Sequence, residues 1–259
     1  MAGSTLLLAS ALANGASTDE ADDLVSLINA FRTSGEGCGG DKAEPVGPLA
    51  PVAALVSIPA GAGEQMQEAL RDSGYQAAKL QAIAVAGPGD AGSVMRMFKQ
   101  RYCGTLLSEQ FAEIGVSRDG NTWQVILAQP LLSNDLGDWE QAGRAILDQV
   151  NQARAEPRRC GNQSFEPAPP LSWDQQLGET ALAHSQDMAE KDYFSHQGRD
   201  RSQAGDRARR QGYSWQRIGE NIAAGQGSAE QAVSSWLASP GHCQNIMNPG
   251  FTEMGAAYA

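Results

Sequence analysis

The feature that most restricts this chain is that it can be laid over itself. Ile28-Asn29-Ala30-Phe31-Arg32 matches Val150-Asn151-Gln152-Ala153-Arg154, and at that same offset Cys38 falls on Cys160, Leu49 on Leu171 and Leu55 on Leu177. After one change of offset Gly74-Tyr75 falls on Gly212-Tyr213 and Ala91 on Ala229. After a second, Cys103 falls on Cys243, and Phe111, Glu113 and Gly115 fall on Phe251, Glu253 and Gly255. So many anchors with so few changes of offset imply two copies of one domain, residues 18–132 and 139–259.

The repeat also selects among the ways of pairing the cysteines, which a count of four leaves open. Each copy carries one cysteine near its first helix and one before its last strands, which pairs Cys38 with Cys103 and Cys160 with Cys243. Each bridge closes a long loop, and loop-closure entropy values such a bridge at roughly 4 kcal/mol. Disulfides persist in oxidising compartments, so a secreted or periplasmic protein is expected. The segment Thr5 to Ala13 ends in an Ala-x-Ala pattern and, with residues 1–17 as a whole, is expected to be an export signal or a disordered start. No cysteines stand as C-x-x-C, which removes zinc-ribbon and thioredoxin chemistry.

With 30 acidic against 19 basic residues the formal charge is -11, so phosphate backbones and anionic membrane surfaces repel the chain. Nucleic acid is thereby a poor partner. No apolar run reaches the roughly 20 residues that span a bilayer, so a transmembrane chain is not expected.

Local signals outline the second copy. Asp138 with Gln141 opens a helix whose stripe is Ala142, Ile146, Val150 and Ala153. Ser172-x-x-Gln175 reads as a capping box for a second helix, with Leu177, Ala181, His184 and Met188 on one face. A short helix covers Asp206 to Arg210, and Ser228-x-x-Gln231 opens another that Pro240 and Gly241 stop. Strands are expected at Arg217-Ile218 and from Glu253 to Tyr258. In the first copy Phe111 to Val116, the Asp119-Gly120 turn and Thr122 to Leu127 form a hairpin. Ala259 aligns with Asp119, so the second copy is expected to lack its last strand.

Phe194-Ser195-His196, Gly205-Asp206-Arg207, Gly212-Tyr213, Gly219-Glu220-Asn221-Ile222-Ala223, Trp236 and Ser239-Pro240-Gly241-His242 with Asn245-Ile246 and Gly255 occur in this order. Together they resemble the CAP superfamily of cysteine-rich secretory, antigen 5 and pathogenesis-related proteins, in its bacterial, SCP-domain form. The resemblance covers about the last 120 residues; the first copy shares it only through the repeat. It implies an α/β fold, an α-β-α sandwich with an antiparallel central sheet, preceded by a smaller degenerate copy of the same fold. It also implies a cleft of two histidines and two acids that binds divalent metal in some members. Carried over, these are His196, His242 and Glu220; the second acid is replaced by Ser239.

Chemistry agrees on the focus. Of only three histidines, His196 and His242 are expected in glycine-flanked loops, where function concentrates. Two imidazoles and a carboxylate are a ligand set for zinc or another divalent ion, bound weakly with water or substrate in the open position. The first copy has Ala82 in place of Glu220 and Tyr102 in place of His242, and it lacks the stretch containing His184 and His196. His184, on an apolar stripe, reads as a core histidine, and Asp206 and Arg207 as a helix cap and a structural ion pair. Tyr193, Phe194 and Trp215 belong to core packing or to an apolar groove. Ser195 and Ser239 sit in no nucleophile elbow.

The expectation is therefore an exported, non-catalytic binding module. His196, Glu220, Ser239 and His242 take a metal or a small lipid, glycan or cell-surface ligand. One alternative is a metal-dependent hydrolase in which His196 and His242 hold the ion and Glu220 is the general base. The other is an extracellular interaction scaffold that keeps the worn copy as a docking surface.

Overall fold

The computed structural model describes residues 15–61, 64–87, 89–131 and 137–259. The Thr5 to Ala13 segment lies outside them. The N-terminal unit runs α1 (Gly15–Thr33), β1 (Ala50–Pro51), α2 (Ala53–Val56), α3 (Glu64–Ser73), β2 (Ala77–Ala86), α4 (Ala91–Arg101), α5 (Cys103–Leu106), β3 (Glu113–Asp119) and β4 (Thr122–Pro130). Its sheet has the order β1-β3-β4-β2. β4 is antiparallel to both β2 and β3, whereas β1 runs parallel to β3. The expected antiparallel sheet is thus corrected to a mixed one.

β4 explains why this sheet is stable. Its side chains alternate with the period of two that a strand imposes. Trp123, Val125 and Leu127 pack with α1 and α4, while Ile126 and Ala128 pack with Leu55 and Ile58 on the other face. All five are at most 1% exposed, so both faces of the sheet are covered.

The C-terminal unit runs α6 (Trp139–Arg154), β5 (Arg158–Cys160), β6 (Gln163–Phe165), β7 (Ser172–Trp173), α7 (Gln175–Glu190), α8 (Ala204–Arg210), α9 (Ala229–Leu237), α10 (Pro240–Met247) and β8 (Glu253–Met254). Only two short ladders form, β5 with β6 and β7 with β8. The larger sheet therefore belongs to the N-terminal unit. Arg217-Ile218 forms no strand, and of Glu253 to Tyr258 only two residues pair. A strand is stabilised by its neighbour, and in the N-terminal unit that neighbour is β4.

Local caps hold where they stand alone. Asp138 accepts from Gln141 N and Ser228 from Gln231 N. The Ser172 box is corrected: Ser172 pairs with Glu253 in the β7–β8 ladder, and Asp174 caps α7 by accepting from Leu177 N. Pro240 does not merely stop α9; it begins α10, since at a first helical position its missing N–H is no loss.

Two side-chain clamps occur in both units. Asn29 exchanges hydrogen bonds with the Leu49 backbone at 3.0 and 2.8 Å, and Asn151 does so with Leu171 at 2.9 and 2.7 Å. Arg32, 1% exposed, donates to the carbonyls of Gly47, Leu106, Ser108 and Phe111. Arg154, fully buried, donates to those of Pro169, Ile246, Asn248 and Phe251. Disulfides join Cys38 to Cys103 and Cys160 to Cys243, across separations of 65 and 83 residues, as expected.

The units meet where α9 crosses β1. Gln226 Nε2 donates to the carbonyls of Pro48 (3.1 Å) and Ala112 (3.4 Å), and Gln231 Nε2 donates to Glu113 at 2.5 Å. Glu113 is fully buried; burial raises its pKa, and hydrogen bonds from Tyr75 and Gln231 only partly offset this.

Candidate functional site

The site is assembled from one loop, one irregular segment and one helix start. The loop between α7 and α8 carries His196, and His184 anchors it from below. His184 is 3% exposed, and its Nε2 lies 3.0 Å from the Ser195 carbonyl, so it is the core histidine the helix stripe predicts. Burial lowers its pKa, as does the Arg207 charge.

Glu220 is gripped from two sides. His196 Nδ1 stands 2.7 Å from one oxygen, and Arg207 Nη2 donates to the other at 2.6 Å. Arg207 Nη1 also donates to the His196 and Ser202 carbonyls, each at 3.0 Å, tying the loop to the carboxylate. Burial raises the Glu220 pKa, but the His196 hydrogen bond and the Arg207 charge outweigh it, leaving the net value lowered. An ionised carboxylate only accepts, so Nδ1 of His196 carries the proton and its Nε2 remains for a ligand.

His242 lies in the first turn of α10, not in a loop. Its Nδ1 is 2.9 Å from Ser239 Oγ, and the ring is 9% exposed. Burial, and then the charge of His196, push its pKa down to about 4. His242 is therefore neutral near pH 7. Asn residues join the parts: Asn221 Nδ2 donates to the His242 carbonyl at 3.2 Å, and Asn245 Nδ2 to the Glu220 carbonyl at 3.3 Å and to Asn221 Oδ1 at 3.0 Å. The fold thus brings His196 and Glu220 into direct contact and ties the His242 backbone to the Glu220 segment through Asn221 and Asn245.

Ser239 is fully buried with its hydroxyl on His242, which makes it a support for the ring rather than a ligand contact. Asp206 caps α8 in a box with Gln203, as expected. Arg207 pairs with Glu220 rather than locally, and neither it nor Asn221 nor Asn245 was assigned to the site from sequence. Asn221 and Asn245 lie inside the matching motifs, which was the available signal. Trp215 donates to the Gly205 carbonyl at 3.1 Å, and Tyr193 bonds Asp187, so their polar ends are engaged.

The residues do not fit a three-ligand metal. Both Glu220 oxygens are engaged and a guanidinium lies against them. Among the described residues no three His, Cys, Asp or Glu side chains are gathered as metal ligands. The arrangement is a hydrogen-bonded network presenting two imidazole edges.

A disulfide-stapled α/β domain with a histidine–glutamate–arginine network at a loop junction is the class these features define. Residues 147–259 match the model of the cysteine-rich secretory protein family, CAP, and this part of the chain belongs to that superfamily. Over 89 residues it is 44% identical to the uncharacterized protein YkwD of Bacillus subtilis, covering 34% of this chain and 35% of that one. Over 85 residues it is 39% identical to the uncharacterized membrane protein YlbC of the same organism, covering 33% and 25%. The match thus spans about a third or less of each relative's length. Among solved structures, an extracellular SCP-domain protein of Bacillus anthracis aligns with TM-score 0.44 and 21% identity over 74% of this chain and 67% of that chain. A cysteine-rich secretory protein of Staphylococcus aureus aligns with TM-score 0.37 and 11% identity over 44% and 40%. Two disulfides fit an extracellular protein, and no helix among the described residues is long and apolar enough to cross a membrane.

Proposed function

We propose that the chain is an exported binding module whose cleft, edged by the free Nε2 atoms of His196 and His242, holds a small lipid or glycan without transforming it. The observation that carries this reading is Glu220. A general base works best with a pKa near the operating pH, and here the carboxylate is held low by His196 and Arg207 on its two oxygens. Taking a proton removes the charge on which both of those contacts depend. Ser239, fully buried, offers no nucleophile. The test has two arms. Turnover of p-nitrophenyl acetate, with and without zinc, is expected to be the same for wild type and Glu220→Gln. Native mass spectrometry of protein exported by a bacterial host is expected to find a small-molecule adduct that His196→Ala loses. Glu220-dependent turnover overturns the reading.

We infer also that residues 18–132 are a degenerate copy of residues 139–259. Supporting this, the Asn and Arg clamps engage aligned carbonyls, and the parallel pairs Ala50↔Glu113 and Ser172↔Glu253 join aligned residues. In this reading the worn copy is a built-in docking surface, holding the Glu220-to-Gly227 segment through Gln226 and Gln231.

A further inference from the structure

Helices α7 and α8 face each other with polar stripes, where packed helices ordinarily present apolar ones. Thr180, Ala183 and Asp187 share one face of α7, and Arg207, Arg210 and Gln211 line the opposite wall at the end of α8. Between them, beside the Gly198-to-Ser202 turn, lies a pocket of about 260 Å³. None of His196, Glu220, Ser239 and His242 lines it; Arg207 and His184 do, so it shares a wall with that site, while a ligand here does not depend on the reading of the cleft.

The pocket's charges are paired. Lys191 binds Asp187, Arg210 binds Asp200 at 2.5 Å, and Arg207 binds Glu220 at 2.6 Å. The walls thus offer two carboxylate acceptors and three cationic donors, each already paired, the partner of Arg207 lying outside the pocket. One donor is unmet: the Arg207 side chain is only 10% exposed, and its Nε has no acceptor among the described residues. Buried donors without partners are rare because they are costly, so this wall of the pocket is not optimised for packing alone. The turn at the rim is pre-formed. Gly198 N donates to the Ser202 carbonyl at 2.9 Å and Arg201 N to the Gly198 carbonyl at 2.8 Å, with Arg201 held at φ 68. A left-handed arginine is strained, and such strain gathers where a loop must keep one shape.

We propose that this pocket binds a neutral polyhydroxylated ligand the size of a single sugar ring. Hydroxyls both donate and accept, so they can serve the carboxylates of Asp187 and Asp200 as well as the guanidiniums of Arg207 and Arg210. An anion satisfies Arg207 but meets the carboxylates of Asp187 and Asp200. An apolar ligand strips water from ion pairs and returns no hydrogen bonds.

The test is a titration of the ¹⁵N-labelled chain with glucose and N-acetylglucosamine, and with glucuronate and inorganic phosphate as anionic probes. The expected result is saturable amide shifts at Ala183, Ser202 and Gln211 with a neutral sugar, with Kd on the order of 1 mM. Anions should respond more weakly. Ala183→Leu, which fills the pocket from an exposed helix position, abolishes the shifts, while His196→Ala retains them. Gln211→Leu serves the same purpose if the first variant does not fold. No saturable shift with either neutral sugar leaves a crevice that holds only water and overturns the proposal. Shifts that survive the filling variant, or a stronger response to the anions, also overturn it.

Discussion

Replacing His242 by glutamine is expected to flatten the acid side of the stability profile. The ring is 9% exposed and its pKa is down to about 4, by burial first and the His196 charge second. Near pH 7 it is neutral whether the chain is folded or not, and it contributes nothing to the pH dependence. As pH falls through roughly 6.5, the unfolded chain takes up a proton that the folded chain refuses, so the unfolded state gains. The penalty grows until the pH reaches about 4, where the folded ring protonates as well. The gap between those values converts to about 3 kcal/mol. Urea unfolding at pH 7 and at about pH 4 measures it: the wild type should lose about 3 kcal/mol more than His242→Gln between the two. Glu113 and Glu220 titrate in both proteins and largely cancel in the difference. Equal pH dependence of the two proteins, or an NMR titration of the His242 ring with a midpoint near 6.5, refutes the reasoning.

Three further outcomes are expected. Arg207→Met leaves burial of Glu220 opposed only by His196 and, more weakly, His184, so the carboxyl pKa rises, read by ¹³C NMR; an unchanged midpoint shows that Arg207 does not set it. Gly255→Ala drives a methyl into the Leu177–Gly178 backbone of α7, and denaturant unfolding should show a loss of about 2 kcal/mol or more, because backbone has little room to yield. Gln226→Ala together with Gln231→Ala should speed amide exchange across Ile222 to Gly227 while leaving α1 and β4 protected; unchanged exchange there means the N-terminal unit does not hold that segment.

Some of the structure is legible from residues close in sequence. The caps at Asp138 and Ser228 depend on a side chain and an N–H three residues on, so their geometry follows from the local chain. The β3–β4 hairpin is marked by Asp119-Gly120 between alternating apolar runs. The disulfides were legible for a different reason: the repeat supplied the long-range pairing that spacing alone does not. At Ser172 and Asp174 two residues can cap the same helix, and local chemistry does not choose. The parallel pairing of Ser172 with Glu253, on a segment distant in the chain, removes Ser172 and leaves Asp174 as the cap.

By itself, then, the sequence determined the caps at Asp138 and Ser228, the helices they open and the cysteine pairing. These rest on spacing along one element or on matches between the two halves. Only the tertiary structure decided that Arg207 belongs to Glu220, that His242 opens a helix beside Ser239, and that the four-stranded sheet lies in the N-terminal unit. An arginine reaches any carboxylate that folding brings near, and a strand forms only where a neighbour is present to take its hydrogen bonds. Both choices are made by segments far apart in the chain, and no local pattern encodes them.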